Sequence, residues 1–585
     1  MRARRLLVSP ILAVVMCVFA FMAAGLGAQK GAPARGGLPS ITPAELTEWL
    51  SYIASDQLEG RQVYTEGLGL AAAYIADRLV EWGIKPGGDT GTYFQSVKVL
   101  GVRTTSRASV TVDVNGQTRT FKDGEGITFP RNMGGKQTIA GDQIQFVGYG
   151  LQIPAAGIDD YAAIDIVPKG KVVIYLGQGP KTLPPGSNRL LGARARNAVE
   201  KGALAVIGPP GGGFGGGRGG RGQGAAGAAG APGAAAQPAA GGRGGFNAQP
   251  DNGDFTTVQR YDRPVVPTLT AQDGFFEFLF SGSDVKYAEL KDKASKQEPL
   301  PPILLKGVKL TVDVDADYAV VRTRLTRNVV GIIPGTDPKL KDTYVAFGAH
   351  YDHVGYAEGS TAGRGGQTAA DPNDRISNGA DDDGSGTVAV MAIAKAFALG
   401  PKPKRSLLFV WHAGEEAGLL GSRYNADYPV VPNEKIVAQL NIDMIGRNRN
   451  DKPEEANTVY IVGSDRISTE LHNLNEDANA RLPKPMTLDY EMNDPADPES
   501  IYTRSDHYSY ALKGIPIIFY TTGLHKDYHR ATDSVEKIEF QKLALIAQLV
   551  YSTGVRVANL DHAPVRDNKG PRKGKGASGK IEIGR

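Results

Sequence analysis

Four pieces between residues 342 and 446 decide the fold: DTYVAFGAHYDHVG (342–355), NGADDDGSGTVAVMAIAKAFAL (378–399), RSLLFVWHAGEEAGLLGS (405–422) and KIVAQLNIDMIG (435–446). Three hold short runs that are apolar at nearly every position, rich in Val, Leu, Ile and Phe. Such a run reads as a strand buried on both faces, the signature of a sheet covered by helices on each side. Residues 386–399 are longer, alanine-rich and open after a glycine turn, so they read as a helix. Strand, helix, strand predicts an α/β unit. Each strand runs into a polar cluster, where open α/β sheets place their active sites.

The pattern extends outward in both directions. TRNVVGIIPG (326–335), NTVYIVGS (457–464) and GIPIIFYTTG (514–523) are further strands, and 536–560 is a closing helix. Upstream, Thr42 and Pro43 open one helix, a second runs from about Gly67 to Trp82, and 92–122 alternates as short strands. Residues 140–208 form a separate small α/β pattern. The expected fold class is α/β: a mostly parallel-core sheet flanked by helices, with a smaller inserted domain.

Five strand ends carry residues of the metal-ligating kind. They are His350, Asp352 and His353; Asp381, Asp382 and Asp383; His412, Glu415 and Glu416; Asp443; and His525, Asp527, His529 and Asp533. Mixed imidazole and carboxylate donors suit zinc, with manganese or cobalt as substitutes. One such residue alone is a solvated loop carboxylate or a satisfied histidine. Five clusters in equivalent positions are a site.

These motifs, GADDDGSG and GEEAGLLGS above all, resemble the zinc aminopeptidase family with a co-catalytic dinuclear metal site, the M28-like metallopeptidases. The resemblance covers about 41–98 and 325–560. It implies a zinc-dependent exopeptidase fold and two Zn²⁺ per chain (Mn²⁺ or Co²⁺ as substitutes). Asp382 would bridge them, His350 and Asp443 would complete one, and Glu416 and His529 the other. Asp381 and Asp383 stay open as alternative bridges. A cis peptide bond would follow the bridging aspartate. Glu415 would be the general base, and Asp352 would hydrogen-bond the far nitrogen of His350. The oxyanion donor would be Tyr502, with Tyr508 and Tyr520 as alternatives. Asp506 and His507 would orient the pocket wall. His353, His412 and His525 would support the ligands from behind without binding metal, or have no role. Segment 125–320 is similar to a protease-associated (PA) domain, on VGYG, DDYAAIDIVPKGKVVI and ARNAVEKGALAVI.

The implied function is an exported di-zinc aminopeptidase acting on peptides with a free N-terminus. A carboxypeptidase- or dipeptidase-type member of the same fold, or a receptor-like peptide binder, is the alternative. The first would need an arginine patch for a terminal carboxylate.

Composition agrees with an exported enzyme. The chain has 585 residues, 41% of them apolar, enough for two or three domains. Its 66 Lys and Arg against 62 Asp and Glu, with the basic excess at the two ends, argue against nucleic-acid binding. The start MRARRLLVSPILAVVMCVFAFMAAGLGA is a basic stretch, an apolar stretch and small residues, a secretory signal with cleavage after Ala28. Cys17 is the single cysteine and lies inside it. A periplasmic or secreted location follows, with no stable membrane insertion after cleavage. A homodimer stays open. Residues 211–245 hold 17 glycines and cannot bury enough surface to order themselves. The expected division is 1–28 signal peptide, 29–124 N-terminal part of the peptidase domain, 125–320 PA domain with the glycine-rich loop 211–245, 321–562 catalytic domain and 563–585 basic tail.

Overall fold

Strands without a polar face need cover on both sides, and the main sheet has it. The computed structural model describes residues 36–153, 156–162, 168–210, 253–356 and 373–572. The expected signal peptide, the glycine-rich segment 211–245, residues 357–372 of the polar insertion and the end of the tail lie outside the described residues.

Ten strands form that sheet: β1 (Lys85–Pro86), β2 (Phe94–Ser106), β3 (Phe255–Thr257), β4 (Ala316–Ile333), β5 (Tyr344–His350), β6 (Ser406–His412), β7 (Ile436–Ile442), β8 (Thr458–Val462), β9 (Thr487–Asp489) and β10 (Ile517–Thr521). Their order is β3-β2-β4-β6-β5-β7-β10-β8-β9, with β1 beside β4. The centre β6-β5-β7-β10 is parallel, as the apolar runs predict. The flanks are not. β4 pairs antiparallel with β6, β2 antiparallel with β4, and β8 antiparallel with β10. The sheet is therefore mixed rather than mostly parallel. The reason is visible in β4, where residues 317–327 are exposed or half-exposed while Val329, Val330 and Ile333 are buried. Only the inner end of that strand needs cover from helices on both faces.

Helices α1 (Pro43–Ile53), α2 (Glu66–Glu81), α3 (Gly386–Leu399), α5 (Thr469–Ala480) and α6 (Phe540–Asn559) contribute to one core with the central strands. Helix α4 (Leu420–Asp427) follows β6. Thr42 caps α1 by accepting the Glu45 N–H, and Pro43 occupies the first turn where no amide is needed. Helix α6 lies close on β5 because residue 554 is glycine: a Cβ there would sit 2.4 Å from the Phe347 ring.

A second core lies in residues 108–316. Strands 144–146, 172–174, 205–208 and 268–271 run parallel. A four-stranded antiparallel sheet, 117–122, 109–114, 308–314 and 137–141, completes it. Strands β2 and β4 continue from the main sheet toward it, paired from Phe94↔Val329 out to Ser106↔Ala316. The helix Asn188–Glu200 of this unit touches the main one, where the Tyr508 hydroxyl donates to Glu200 Oε1 at 2.8 Å. Among the described residues no helix is long and apolar enough to cross a membrane.

Candidate metal centre

The C-terminal ends of β5, β6, β7 and β10 lie side by side, and each delivers a donor. β5 ends on His350. The turn 380–385 leading into α3 carries three aspartates. β6 leads through Gly414 to Glu415 and Glu416, β7 into Asp443, and the loop after β10 into His529. His350, His353, Asp382, Asp383, Glu416 and Asp443 are buried, and His529 is half-buried.

The three aspartates divide by what their oxygens touch. Asp381 Oδ1 accepts the Gly446 N–H at 2.6 Å, and its Oδ2 lies 3.2 Å from His525 Nε2. Asp383 accepts the backbone amides of His350, Gly386 and Met444. Asp382 reaches both imidazoles: Oδ1 is 3.3 Å from His350 Nε2, and Oδ2 is 3.1 Å from His529 Nε2. His350 Nε2 is also 3.7 Å from Asp443 Oδ1, and His529 Nε2 is 3.0 Å from Glu416 Oε1. By proximity alone, His350, Asp383 and Asp443 make one group of donors, and His353, Asp382 and Glu416 another. The three amides already on Asp383 make Asp382 the better donor to the first group. The Asp382–Asp383 peptide bond is cis, at the position the family resemblance implies.

The donor set fits metal ions. His350 Nε2, Asp382 Oδ2 and His529 Nε2 are buried and make no hydrogen bond among the described residues. Burial alone would lower both imidazoles, but the carboxylates around them win: Asp443, Asp352 and Asp382 hold His350 well above the usual range, and Glu416 and Asp382 do so for His529. Asp382 lies well below its usual range; burial pushes it up, and His350, His529 and His353 outweigh that. Glu416 is brought down to about 2, mainly by His529 against its own burial. Cationic charge is thus what this cluster of carboxylates is arranged to receive.

Glu415 behaves oppositely. Crowding by protein, then Glu416, Asp443 and Asp506, raise its carboxyl well above the usual range, with His350 opposing. It remains partly exposed. Its backbone N–H donates to Asp352 Oδ1 at 3.1 Å. Asp352 therefore anchors the general-base candidate. The far nitrogen of His350 lies 3.1 Å from the Asp352 backbone carbonyl and 3.7 Å from its carboxylate.

The tyrosine candidates separate as well. Tyr520 donates to Asn475 and Tyr508 to Glu200, so both hydroxyls are engaged away from the donors. Tyr502 lies under the Arg466 guanidinium, 3.6 Å from its ring centre, and its hydroxyl makes no hydrogen bond among the described residues. Sequence reading overlooked Tyr528, whose ring stacks on His529 at 3.8 Å and whose hydroxyl accepts from Arg504. It also overlooked Ser505, which accepts from Asn441 next to Asp443. Asp533, a ligand-type candidate of the fifth strand end, instead accepts the amides of Asp381 and Asp382. Arg61, fully buried, donates to the carbonyls of Ile53, Tyr351, Asn378 and Gly379 and ties the Asp loop to the β5 end. Tyr528 and Asp533 lie in the same stretch, 525–533, as His525, Asp527 and His529. Nothing around Arg61 in sequence points 290 residues ahead to Tyr351.

His507 forms part of the wall. It donates from Nε2 to the Tyr502 carbonyl at 2.7 Å and stacks on Phe519. Burial drops it from 6.5 to about 3, against the Tyr502 carbonyl and Asp506. A base whose folded value is depressed stabilises the fold fully above its unfolded value. That stability is lost as pH falls from about 6.5 toward 3, at up to ~1.4 kcal/mol per pH unit. In urea unfolding, wild type should lose about 1 kcal/mol more between roughly pH 6 and pH 5 than His507→Phe, which cannot take up the proton. Equal losses would mean that His507 is protonated in the folded protein.

Residues 328–553 match the model of peptidase family M28. A protein named probable leucine aminopeptidase from Trichophyton verrucosum (strain HKI 0517) is 30% identical over 241 residues, covering 40% of this chain and 57% of its own. One of the same name from Arthroderma benhamiae (strain ATCC MYA-4681 / CBS 112371) is also 30% identical over 241 residues, with the same coverage. The chain spans a little over half the length of these relatives. Among solved structures, an aminopeptidase from Aneurinibacillus sp. strain AM-1 aligns over 92% of this chain and 99% of its own, at 16% identity and a TM-score of 0.42.

Proposed function

We propose that this chain is an exported di-zinc aminopeptidase that hydrolyses the N-terminal peptide bond of peptides. Asp382 carries the reading: one carboxylate faces two imidazoles from opposite oxygens, with Asp443 beside one and Glu416 beside the other. His350 and Asp443 would hold one metal, Glu416 and His529 the other, and Asp382 both. Bound there, two metal ions supply Lewis acidity at the scissile carbonyl and a water acidic enough to react near neutral pH. Zinc suits the mixed donors, with manganese or cobalt as substitutes.

The protein's own part is proton handling and positioning. Glu415 takes the proton of the attacking water and passes it to the leaving amine, for which a carboxyl held above its usual range is suited. Asp352 fixes it through the backbone. Tyr502 is the proposed donor to the developing negative oxygen, its hydroxyl uncommitted among the described residues. The unit around 125–320 is read as a PA domain that shapes the cleft, on its contact at Tyr508. Export rests on the sequence of residues 1–28 alone.

A carboxypeptidase- or dipeptidase-type reading has one observation behind it. Arg423 and Arg504 both lie close enough to Glu415 for its charge to act on them, and could receive a terminal carboxylate. One experiment decides between the readings: digest a peptide library, each member with a free and an N-acetylated terminus, and read the products by mass spectrometry. Single-residue loss from free N-termini alone is expected. Loss from C-termini or from blocked peptides would support the alternative. No cleavage by metal-loaded protein would make the chain a peptide binder.

A further inference from the structure

The two metal positions differ in how many donors surround them, and His353 makes the difference. Its Nδ1 is 3.1 Å from Glu416 Oε1 and 3.8 Å from Asp382 Oδ2, the same two oxygens that His529 Nε2 approaches at 3.0 and 3.1 Å. Donors about 2.1 Å from a tetrahedral metal lie about 3.4 Å from each other. The four imidazole–carboxylate separations among these atoms, 3.0, 3.1, 3.1 and 3.8 Å, are on that scale. The other position offers three: His350 Nε2 with Asp382 Oδ1 at 3.3 Å and Asp443 Oδ1 at 3.7 Å.

An ordinary core histidine would have its nitrogens satisfied. His353 is 0% exposed, and neither ring nitrogen makes a hydrogen bond among the described residues. The ring is fixed nonetheless. Its backbone N–H donates to the Arg61 carbonyl at 3.2 Å. Gly379, at φ 58°, lies against it so closely that a Cβ would sit 2.5 Å from the imidazole Cγ. The imidazole is thus held at the Glu416–Asp382 pair with no other task in view.

We propose that His353 Nδ1 is a fourth protein donor to the metal shared by Asp382, Glu416 and His529. This rests on the dinuclear reading above and makes its two halves unequal. The four-donor position is closed and holds its metal tightly, while the position at His350 and Asp443 keeps room for water and exchanges faster.

The test is to load metal-stripped full-length protein with Co²⁺ and count the hyperfine-shifted, solvent-exchangeable imidazole N–H protons by ¹H NMR. Each ligating histidine contributes one. Wild type should show three, for His350, His353 and His529, and His353→Asn two. Asparagine keeps a donor near Glu416 but cannot replace an imidazole ligand. Affinity for the tighter metal should also fall more than about 100-fold, beyond what loss of an outer hydrogen bond costs. Two shifted protons in wild type would overturn the proposal and leave His353 as a hydrogen-bonding neighbour of Glu416. If His353→Asn does not fold by circular dichroism, the wild-type count still decides. Fewer than two cobalt ions bound per wild-type chain would instead overturn the dinuclear reading itself.

Discussion

Replacing Glu415 by glutamine should lower kcat by about 10³-fold or more while both metals stay bound. Glutamine has nearly the same shape, so the backbone bond to Asp352 and the packing around it survive. What it lacks is a basic oxygen. The two neighbouring glutamates are pulled apart: Glu416 is brought down to about 2 by His529, whereas Glu415 is raised by burial and by the carboxylates beside it. Adjacent carboxyls with opposite shifts are the mark of a ligand beside a proton carrier. The measurement is kcat on an N-terminal amino-acid anilide together with metal content by mass spectrometry. Activity within tenfold of wild type would remove Glu415 from the chemistry. Loss of a metal along with activity would make it a ligand.

The individual donors were legible in sequence because each follows a run that can only be a buried strand. His350 after YVAFGA, Glu415 and Glu416 after SLLFVWHAG, and Asp443 after IVAQLNI all fall at the same end of the sheet once those runs lie parallel. The choice among Asp381, Asp382 and Asp383 was not legible. The three are chemically identical, and only the amides of Gly446, His350, Gly386 and Met444, from three separate segments, tell them apart. The antiparallel flank was hidden for a similar reason. β4 pairs with β2 over sequence separations of more than 200 residues, and no local pattern encodes a partner that distant. Arg61 was invisible because its four acceptors are main-chain carbonyls, which every residue has. His353 stood in plain view in GAHYDHVG, yet sequence could not say which of two nearby imidazoles faces the donors or that both do.

Asp382→Asn should have the widest effect of any single substitution in the centre, costing both metals rather than one. Each Asp382 oxygen faces a different imidazole, so an amide must turn its NH₂ group toward one of the two positions. That position gains a donor where it needs an acceptor, and both lose the shared negative charge. Asp443→Asn or Glu416→Gln, which touch one position each, should strip one metal and leave the other. Asp381→Asn separates charge from position: it sits next door, is equally buried, and bonds to Gly446 and His525 instead. It should keep both metals, while its lost bonds lower stability. The quantities to measure are metals per chain after dialysis against the same buffer, and the melting temperature with and without added zinc. Asp382→Asn is expected to retain almost no metal and to lose the zinc-dependent rise in melting temperature, since a ligand stabilises only the fold that binds it. Retention of one metal at wild-type affinity would show that Asp382 serves a single position, and the bridge would then have to be sought in Asp383, whose oxygens would need to give up their amides to form it.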